Sequence, residues 1–214
     1  MSPPTHDDHV PPTAAEPPAT TPRGVFALRP LDRDSDLALL HAWMDDPAVA
    51  RFWELDGPRS RLLGHLDTLF DGTHSRPYLG LLDGTPVSYW ELYWAWDDPL
   101  ADHYAARPGD AGLHLLIGPA RFRGVGLAAP LIRAVSDRQL AHRRTERVVA
   151  EPDVRNTASV RAFERAGFRR TSDLRLPEKT AALMVRDPDT THDTAATARA
   201  KDRPDRGPQR GAHA

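Results

Sequence analysis

Residues 113–117, Leu113-His114-Leu115-Leu116-Ile117, form a short apolar run leading into Arg121-Phe122-Arg123-Gly124-Val125-Gly126, and a helical pattern over residues 127–140 leads out. Strand, glycine turn and helix in that order constrain the local fold to an α/β unit and lay out an anion site. Turn glycines accept positive φ and close backbone approach. The free N–H groups at the start of the next helix, aided by its dipole, hold a pyrophosphate. The same pattern also suits an ordinary strand-to-helix turn with solvated arginines, so context has to decide.

With 214 residues the chain is long enough for one well-buried domain. Its 28 basic and 30 acidic side chains nearly cancel, which disfavours nucleic acid and anionic membranes as partners. Cysteine is absent, excluding disulfides, thiolate metal sites and a cysteine nucleophile. No apolar run reaches the roughly 18 residues of a membrane span, and no export signal is read at the N-terminus, so a cytoplasmic protein is expected, as monomer or homodimer. Residues 1–24 carry Pro3, Pro4, Pro11, Pro12, Pro17, Pro18 and Pro22 with few large apolar side chains, and residues 188–214 are again polar and proline-bearing. Both are expected to be disordered tails around a single domain over residues 25–187.

Within that domain, residues 25–30 read as a strand, followed by a helix capped by Asp34 or Ser35 and a second helix over residues 59–70. Residues 78–82 and 87–96, separated by Asp83-Gly84, read as a hairpin. Strand 112–118 and helix 127–140 follow, with Pro130 tolerable only in that helix's first turn. Residues 147–151 give a strand, 156–166 a helix stopped by Gly167, and 168–174 with 181–185 a closing hairpin. Strands that first meander and then alternate with helices predict a mixed α/β (α+β) sheet.

Two motifs now carry a resemblance. Arg121-x-x-Gly124-x-Gly126 resembles the pyrophosphate loop of the GCN5-related N-acetyltransferases. Asn156 followed by Phe163-Glu164-Arg165-Ala166-Gly167-Phe168 resembles that family's second cofactor segment, in the right order and spacing. The resemblance spans residues 26–186 and implies a mostly antiparallel sheet splayed between its fourth and fifth strands, with acyl-CoA in the cleft. It implies that the backbone of Arg121, Arg123, Gly124, Val125, Gly126 and Leu127 binds the CoA pyrophosphate, with charge-assisted contacts from Arg121 and Arg123. The main chain of Leu115, Leu116 and Ile117 would pair with the pantetheine arm as an added strand. Asn156 would hydrogen-bond the same arm, or serve only as a helix cap. Phe163 stands at the cofactor where the family often carries a tyrosine that protonates the leaving thiolate. Phenylalanine donates no proton.

A narrower resemblance, to the acyltransferases of hydroxamate siderophore assembly, rests on residues 112–119, Tyr89-Trp90-Glu91-Leu92-Tyr93-Trp94, His41-Ala42-Trp43-Met44 with Phe52-Trp53, and Glu151-Pro152-Asp153-Val154-Arg155-Asn156. It implies transfer of an acyl group from acetyl- or succinyl-CoA to the N-hydroxylated amine of a diamine or a lysine side chain, with no metal required. His114 and Asp153 match that subfamily's proposed catalytic pair. A histidine titrates near neutrality, as a general base should. His114 also has a bland reading as a satisfied core residue, and Asp153 as a helix cap.

Trp90, Tyr93 and Trp94 are either strand packing or the wall of an acceptor channel, with Glu91, Asp97, Asp98 or Asp102 holding the far end of the acceptor. Ten histidines raise the question of a metal, but none are spaced H-x-H or H-E-x-x-H, and no metal is expected. Aminoglycoside 6'-N-acetylation and a non-catalytic acyl-CoA-binding module are the competing functions.

Overall fold

The computed structural model describes residues 18–188; the rest of both expected tails, 1–17 and 189–214, lies outside the described residues. One sheet has the strand order β1-β2-β3-β4-β5-β6-β8-β7. Its strands are β1 (Ala19–Thr21), β2 (Gly24–Pro30), β3 (Ser75–Leu82), β4 (Thr85–Trp94), β5 (Asp110–Ile117), β6 (Arg147–Ala150), β7 (Arg169–Arg175) and β8 (Thr180–Arg186). The helices are α1 (Arg33–Met44), α2 (Pro47–Trp53), α3 (Arg59–Asp71), α4 (Ala128–Ala141) and α5 (Thr157–Arg165). Every neighbouring strand pair is antiparallel except β5–β6. The sheet is thus the mixed, mostly antiparallel one expected.

Several local expectations need correction. Residues 18–24, assigned to the N-terminal tail, contain β1 and the turn into β2, because Ala19 to Thr21 pair with Phe26 to Gly24. The cap of α1 is Asp32, which accepts from the N–H groups of Asp34 at 3.1 Å and Ser35 at 2.7 Å, rather than Asp34 or Ser35. Helix α2 is absent from the sequence reading: its seven residues are too few to show a period, although Asp46 caps it and Pro47 opens it. Strand β4 ends at Trp94 and not at Trp96, where the chain turns into the 3-10 segment Ala95–Asp97. Pro130 falls in the first turn of α4, where its missing N–H costs no helical bond.

Alternation along β4 and β5 gives the sheet two packed faces. Trp90, Leu92 and Leu113 point to the α4–α5 side, where Phe26, Leu131, Ile132 and Phe163 join them. Tyr89 and Leu116 point the other way, into a core with Leu40, Met44, Leu62 and Leu66 of α1 and α3. Glu91, Tyr93 and His114 share that second face, since Glu91 lies opposite His114 and Tyr93 opposite Gly112. Gly112 is required there: a Cβ would stand 2.2 Å from the Tyr93 ring.

The parallel pairing of β5 with β6 covers only Asp110↔Arg147, Ala111↔Val148 and Gly112↔Val149. Beyond Gly112 the strands part, and residues 113–117 present a backbone edge without a strand partner among the described residues. Gln139 Nε2 donates to the Gly112 carbonyl at 3.0 Å, where the strands diverge. At the closed end, buried Asp110 accepts from Arg147 Nε at 2.6 Å, Arg147 Nη2 at 2.9 Å and the Tyr104 hydroxyl at 2.7 Å. The wedge between β5 and β6 is the splay expected between the fourth and fifth strands, renumbered by the added β1.

Candidate active site

The wedge opens into two joined lobes. A lobe of about 550 Å³ runs along Leu115, Leu116 and Ile117 to Gly124, Gly126 and Leu127, with Thr157, Arg161 and Arg165 of α5 on its far side. A second lobe of about 310 Å³ contains His65, Glu91, His114, Glu151, Asp153 and Lys179. Phe52, Trp53, Leu115 and Asn156 line both, so the lobes meet beside the β5 edge.

The larger lobe suits a phosphorylated ligand. Gly124 and Gly126 take φ of 71° and 77°, which turns the loop backbone tightly. The N-cap position of α4, Leu127, supplies no side-chain cap, leaving the first-turn N–H groups for a ligand. Arg121 lies over the Phe122 ring, its guanidinium carbon 4.6 Å from the centroid. Arg123 is committed elsewhere: it forms a salt bridge to Asp46 and donates to the Gly118 carbonyl at 2.9 Å. The expected pyrophosphate contact from Arg123 therefore competes with an ion pair that ties the loop to the start of α2. Val125 lies in the same turn, half exposed, and its carbonyl accepts from Arg23. Asn156 caps α5, its Oδ1 accepting from Ser159 N–H at 3.1 Å, while its Nδ2 has no partner among the described residues. Phe163 is buried, edge-on to Phe168 with centroids 5.1 Å apart, and lines the smaller lobe.

In the smaller lobe His114 sits between two buried carboxylates. Its Nδ1 lies 3.1 Å from Glu91 Oε2 and its Nε2 2.5 Å from Glu151 Oε1. Glu91 also accepts from the Tyr89 hydroxyl at 2.9 Å and faces His65 Nε2 at 2.6 Å. Glu151 accepts from the Tyr93 hydroxyl at 2.8 Å, with Lys179 Nζ 3.4 Å away. Burial disfavours the charged imidazole, but Glu151 and Glu91 outweigh it and raise the His114 pKa to about 10. Burial likewise disfavours the charged carboxylates, yet the histidines, and Lys179 at Glu151, hold both below the ordinary range. Desolvation and the same carboxylates push the phenols of Tyr89 and Tyr93 well above their usual value, so both remain donors. His114 thus rests as an imidazolium and does not titrate near neutrality as the sequence suggested. One edge of its side chain, 34% exposed, faces the lobe.

Asp153 lies in the same lobe but is held by Arg155, accepting from its backbone N–H at 2.7 Å and its Nη2 at 2.6 Å. That contact lowers its pKa. It makes no hydrogen bond to His114 among the described residues, and Glu151 stands where Asp153 was expected. Trp90 and Trp94 are corrected outright. Trp90 is buried on the opposite face, its Nε1 donating to Ser88 at 2.8 Å, and Trp94 is covered by Arg144 and His142. Neither lines a lobe. Tyr93 packs its ring 4.8 Å from that of His114 and supports the site from beneath. Glu91 is part of the buried cluster rather than the acceptor's far anchor. The aromatic wall is the half-buried Trp53, edge-on to His114 at 6.5 Å and to Tyr89 at 5.6 Å.

Comparison with known proteins places this geometry. The family profile described as "Acetyltransferase (GNAT) domain" matches residues 32–176. The chain belongs to the GNAT acetyltransferase family. It is 34% identical to the N(6)-hydroxylysine O-acetyltransferase of Escherichia coli, over 77% of this chain and 53% of that one. It is 41% identical to the lysine N-acyltransferase MbtK of Mycobacterium sp. (strain MCS), over 66% and 59%. The N-hydroxyputrescine acetyltransferase of Acinetobacter baumannii is 34% identical over 74% of this chain and 76% of that one. The chain spans between half and three fifths of the length of the first two of these GNAT relatives. Among solved structures, an uncharacterized protein from Bacillus halodurans aligns with TM-score 0.75 at 33% identity, over 79% of this chain and 89% of that one. The aminoglycoside acetyltransferase AAC(6')-Ib, in a structure with coenzyme A, aligns with TM-score 0.69 at 24% identity, over 76% and 95%, a likeness of fold alone.

Proposed function

We infer that this GNAT protein transfers an acyl group from acyl-CoA to the N-hydroxylated amine of a diamine or of a lysine side chain, forming a hydroxamate in siderophore assembly. It acts in the cytoplasm, on a short donor such as acetyl- or succinyl-CoA. The observation that carries this reading is the pair of lobes meeting beside Leu115, with a phosphate-ready loop at the end of one and the His114–Glu151 pair in the other. The larger lobe fits acyl-CoA: the uncapped α4 start takes the pyrophosphate, Arg161 and Arg165 supply positive charge, and the free β5 edge accepts the pantetheine amides. Bound there, acyl-CoA supplies an activated carbonyl. A carbon–nitrogen bond forms, the carbon–sulfur bond breaks, and the proton displaced from nitrogen passes to the His114–Glu151 pair and returns to the thiolate. An N-hydroxylated amine is neutral and nucleophilic at ordinary pH, so the pair, once the His114 imidazolium has released its own proton, has only to take that one.

The acceptor is supported by two names, since the E. coli and A. baumannii relatives are named for hydroxylysine and N-hydroxyputrescine. The test follows free thiol from acetyl-, succinyl- and long-chain acyl-CoA against N-hydroxycadaverine, N6-hydroxylysine, lysine and kanamycin. Turnover is expected with the hydroxylamines; turnover confined to kanamycin overturns the reading, and no turnover with any acceptor favours a binding module.

The relocated aromatic wall gives a second expected outcome. Trp53→Ala raises KM for the hydroxylamine about tenfold, the ~1.4 kcal/mol that partial loss of an aromatic contact represents. Trp90→Phe lowers thermal stability and leaves that KM unchanged. Steady-state kinetics on the two variants checks both, and a raised KM in Trp90→Phe would return the wall to β4.

A further inference from the structure

The turn that joins β1 to β2 reaches across the molecule to the glycine loop. Arg23 Nη2 donates to the Val125 carbonyl at 2.6 Å, a contact between residues 102 positions apart. The base of this arginine is fixed. Its backbone N–H donates to Thr21 Oγ1 at 3.1 Å, the Thr21 hydroxyl donates to the Gly24 carbonyl at 2.8 Å, and Val25 exchanges two bonds of 2.8 Å with Asp83 of the β3–β4 turn. The guanidinium is packed against the loop as well as bonded to it: a Cβ on Gly126 would stand 3.2 Å from the same Nη2. Glycine at 126 leaves room for the arginine in addition to taking its φ of 77°.

A trans peptide points its C=O and its N–H in opposite directions, and no cis bond occurs among the described residues. The Val125 carbonyl and the Gly126 N–H belong to one such unit. With the carbonyl held by Arg23, the N–H faces the other way, and Gly126 lines the larger lobe whereas Val125 and Arg23 do not. No acceptor among the described residues takes that N–H. Glycine on one side of the unit would otherwise let it flip at little steric cost and present its carbonyl to an anion. Resting on the reading that this loop receives the pyrophosphate of CoA, we propose that Arg23 is a positioning residue for the cofactor: by clamping the Val125 carbonyl on the outer side of the loop, it keeps the Gly126 N–H aimed at the phosphate. The bond is charge-assisted, so it also polarises the peptide and strengthens its N–H as a donor. The loop's own arginines are placed otherwise, Arg121 over the Phe122 ring and Arg123 on Asp46. Arg23 acts through the backbone and not on the phosphate.

The experiment measures binding of CoA and of 3'-dephospho-CoA to the full chain by calorimetry, with acetyl-CoA and S-acetylpantetheine as donors in steady-state kinetics. Arg23→Met keeps the aliphatic stem and removes the donors. It is expected to weaken CoA and 3'-dephospho-CoA alike by roughly tenfold, the scale of one lost hydrogen bond to a charged group, and to raise KM for acetyl-CoA by the same factor with little effect on kcat. S-acetylpantetheine has no pyrophosphate, so its kcat/KM is expected to move by less than about twofold. Arg23→Lys, which can still donate to the carbonyl, is expected to recover part of the lost affinity. CoA affinity in Arg23→Met within about twofold of wild type overturns the proposal, as does an equal loss with S-acetylpantetheine. A loss confined to CoA and absent from 3'-dephospho-CoA also overturns it, because Arg23 would then be a direct ligand of the 3'-phosphate. A wild-type protein that binds no CoA defeats the reading of the loop itself, whereas wild-type binding with an unchanged Arg23→Met variant defeats the positioning role alone.

Discussion

Replacing His114 with alanine is expected to lower kcat/KM by roughly 10²- to 10⁴-fold while KM for acyl-CoA changes little. Among the described residues the ring is the one side chain that touches both buried carboxylates, with Glu91 on Nδ1 and Glu151 on Nε2. Its loss leaves two negative charges facing each other across the site and no group to exchange the proton that leaves the acceptor nitrogen. The resting imidazolium has to pass a proton on before it can take another, and the carboxylates keep that proton well above the usual imidazole range. Wild-type kcat/KM should therefore keep rising between about pH 7 and about pH 9, and the rise should vanish in His114→Ala. Glu151→Gln should lose a similar factor. Asp153→Ala should lose less, because Asp153 is bound to Arg155 and not to the imidazole. A flat profile in the wild type, or an Asp153 defect as deep as that of His114, would return the base role to the pairing read from sequence.

Asp110→Ala is expected to destabilise the protein by about 3–5 kcal/mol, the usual consequence of stripping one partner from a buried ion pair. Asp110 is fully buried. It accepts two bonds from Arg147 and one from Tyr104 at the point where β5 and β6 still run together. Without it the Arg147 guanidinium, 13% exposed, remains in place without its hydrogen-bonded carboxylate, and the closed end of the wedge loses its tie. For a domain of this size that loss corresponds to a fall in Tm of about 10 °C or more. Asp110→Asn, which keeps an acceptor, should fall between the two. Chemical denaturation gives the difference directly, and a loss under about 1 kcal/mol would mean that the apex is held by packing of Val148 and Val149 instead.

Most of the framework was legible because it depends on short-range patterns. Asp83-Gly84 announces the β3–β4 hairpin, the glycines of the loop announce the turn into α4, and Gly167 the end of α5. The site was legible only in part, because it is assembled by register, which alternation does not specify. His114 could be placed on a face of its strand, but its neighbours follow from Glu91↔His114 across β4–β5 and Gly112↔Val149 across β5–β6. Two residues beyond that last pair, His114 and Glu151 come level on one face. Asp153, the acid expected to partner His114, lies two positions further along the same motif, where Arg155 takes up the carboxylate. The same period of two explains Trp90: an even step from Leu92 carries it into the α4–α5 core, away from Glu91 and Tyr93. His65 gave no signal, since it sits in a helix whose approach to Glu91 depends on the packing of Leu62 and Leu66 beneath the sheet.

The central claim is that the hydroxylated nitrogen is the one acylated. An equimolar mixture of cadaverine and N-hydroxycadaverine, incubated with the protein and acetyl-CoA and resolved by mass spectrometry with an iron(III) colour test, measures it directly. Nearly all product is expected to be the hydroxamate, coloured with iron, and its formation to collapse in His114→Ala. Product dominated by the amide of cadaverine, or by acylation of the far amine of N-hydroxycadaverine, would contradict it.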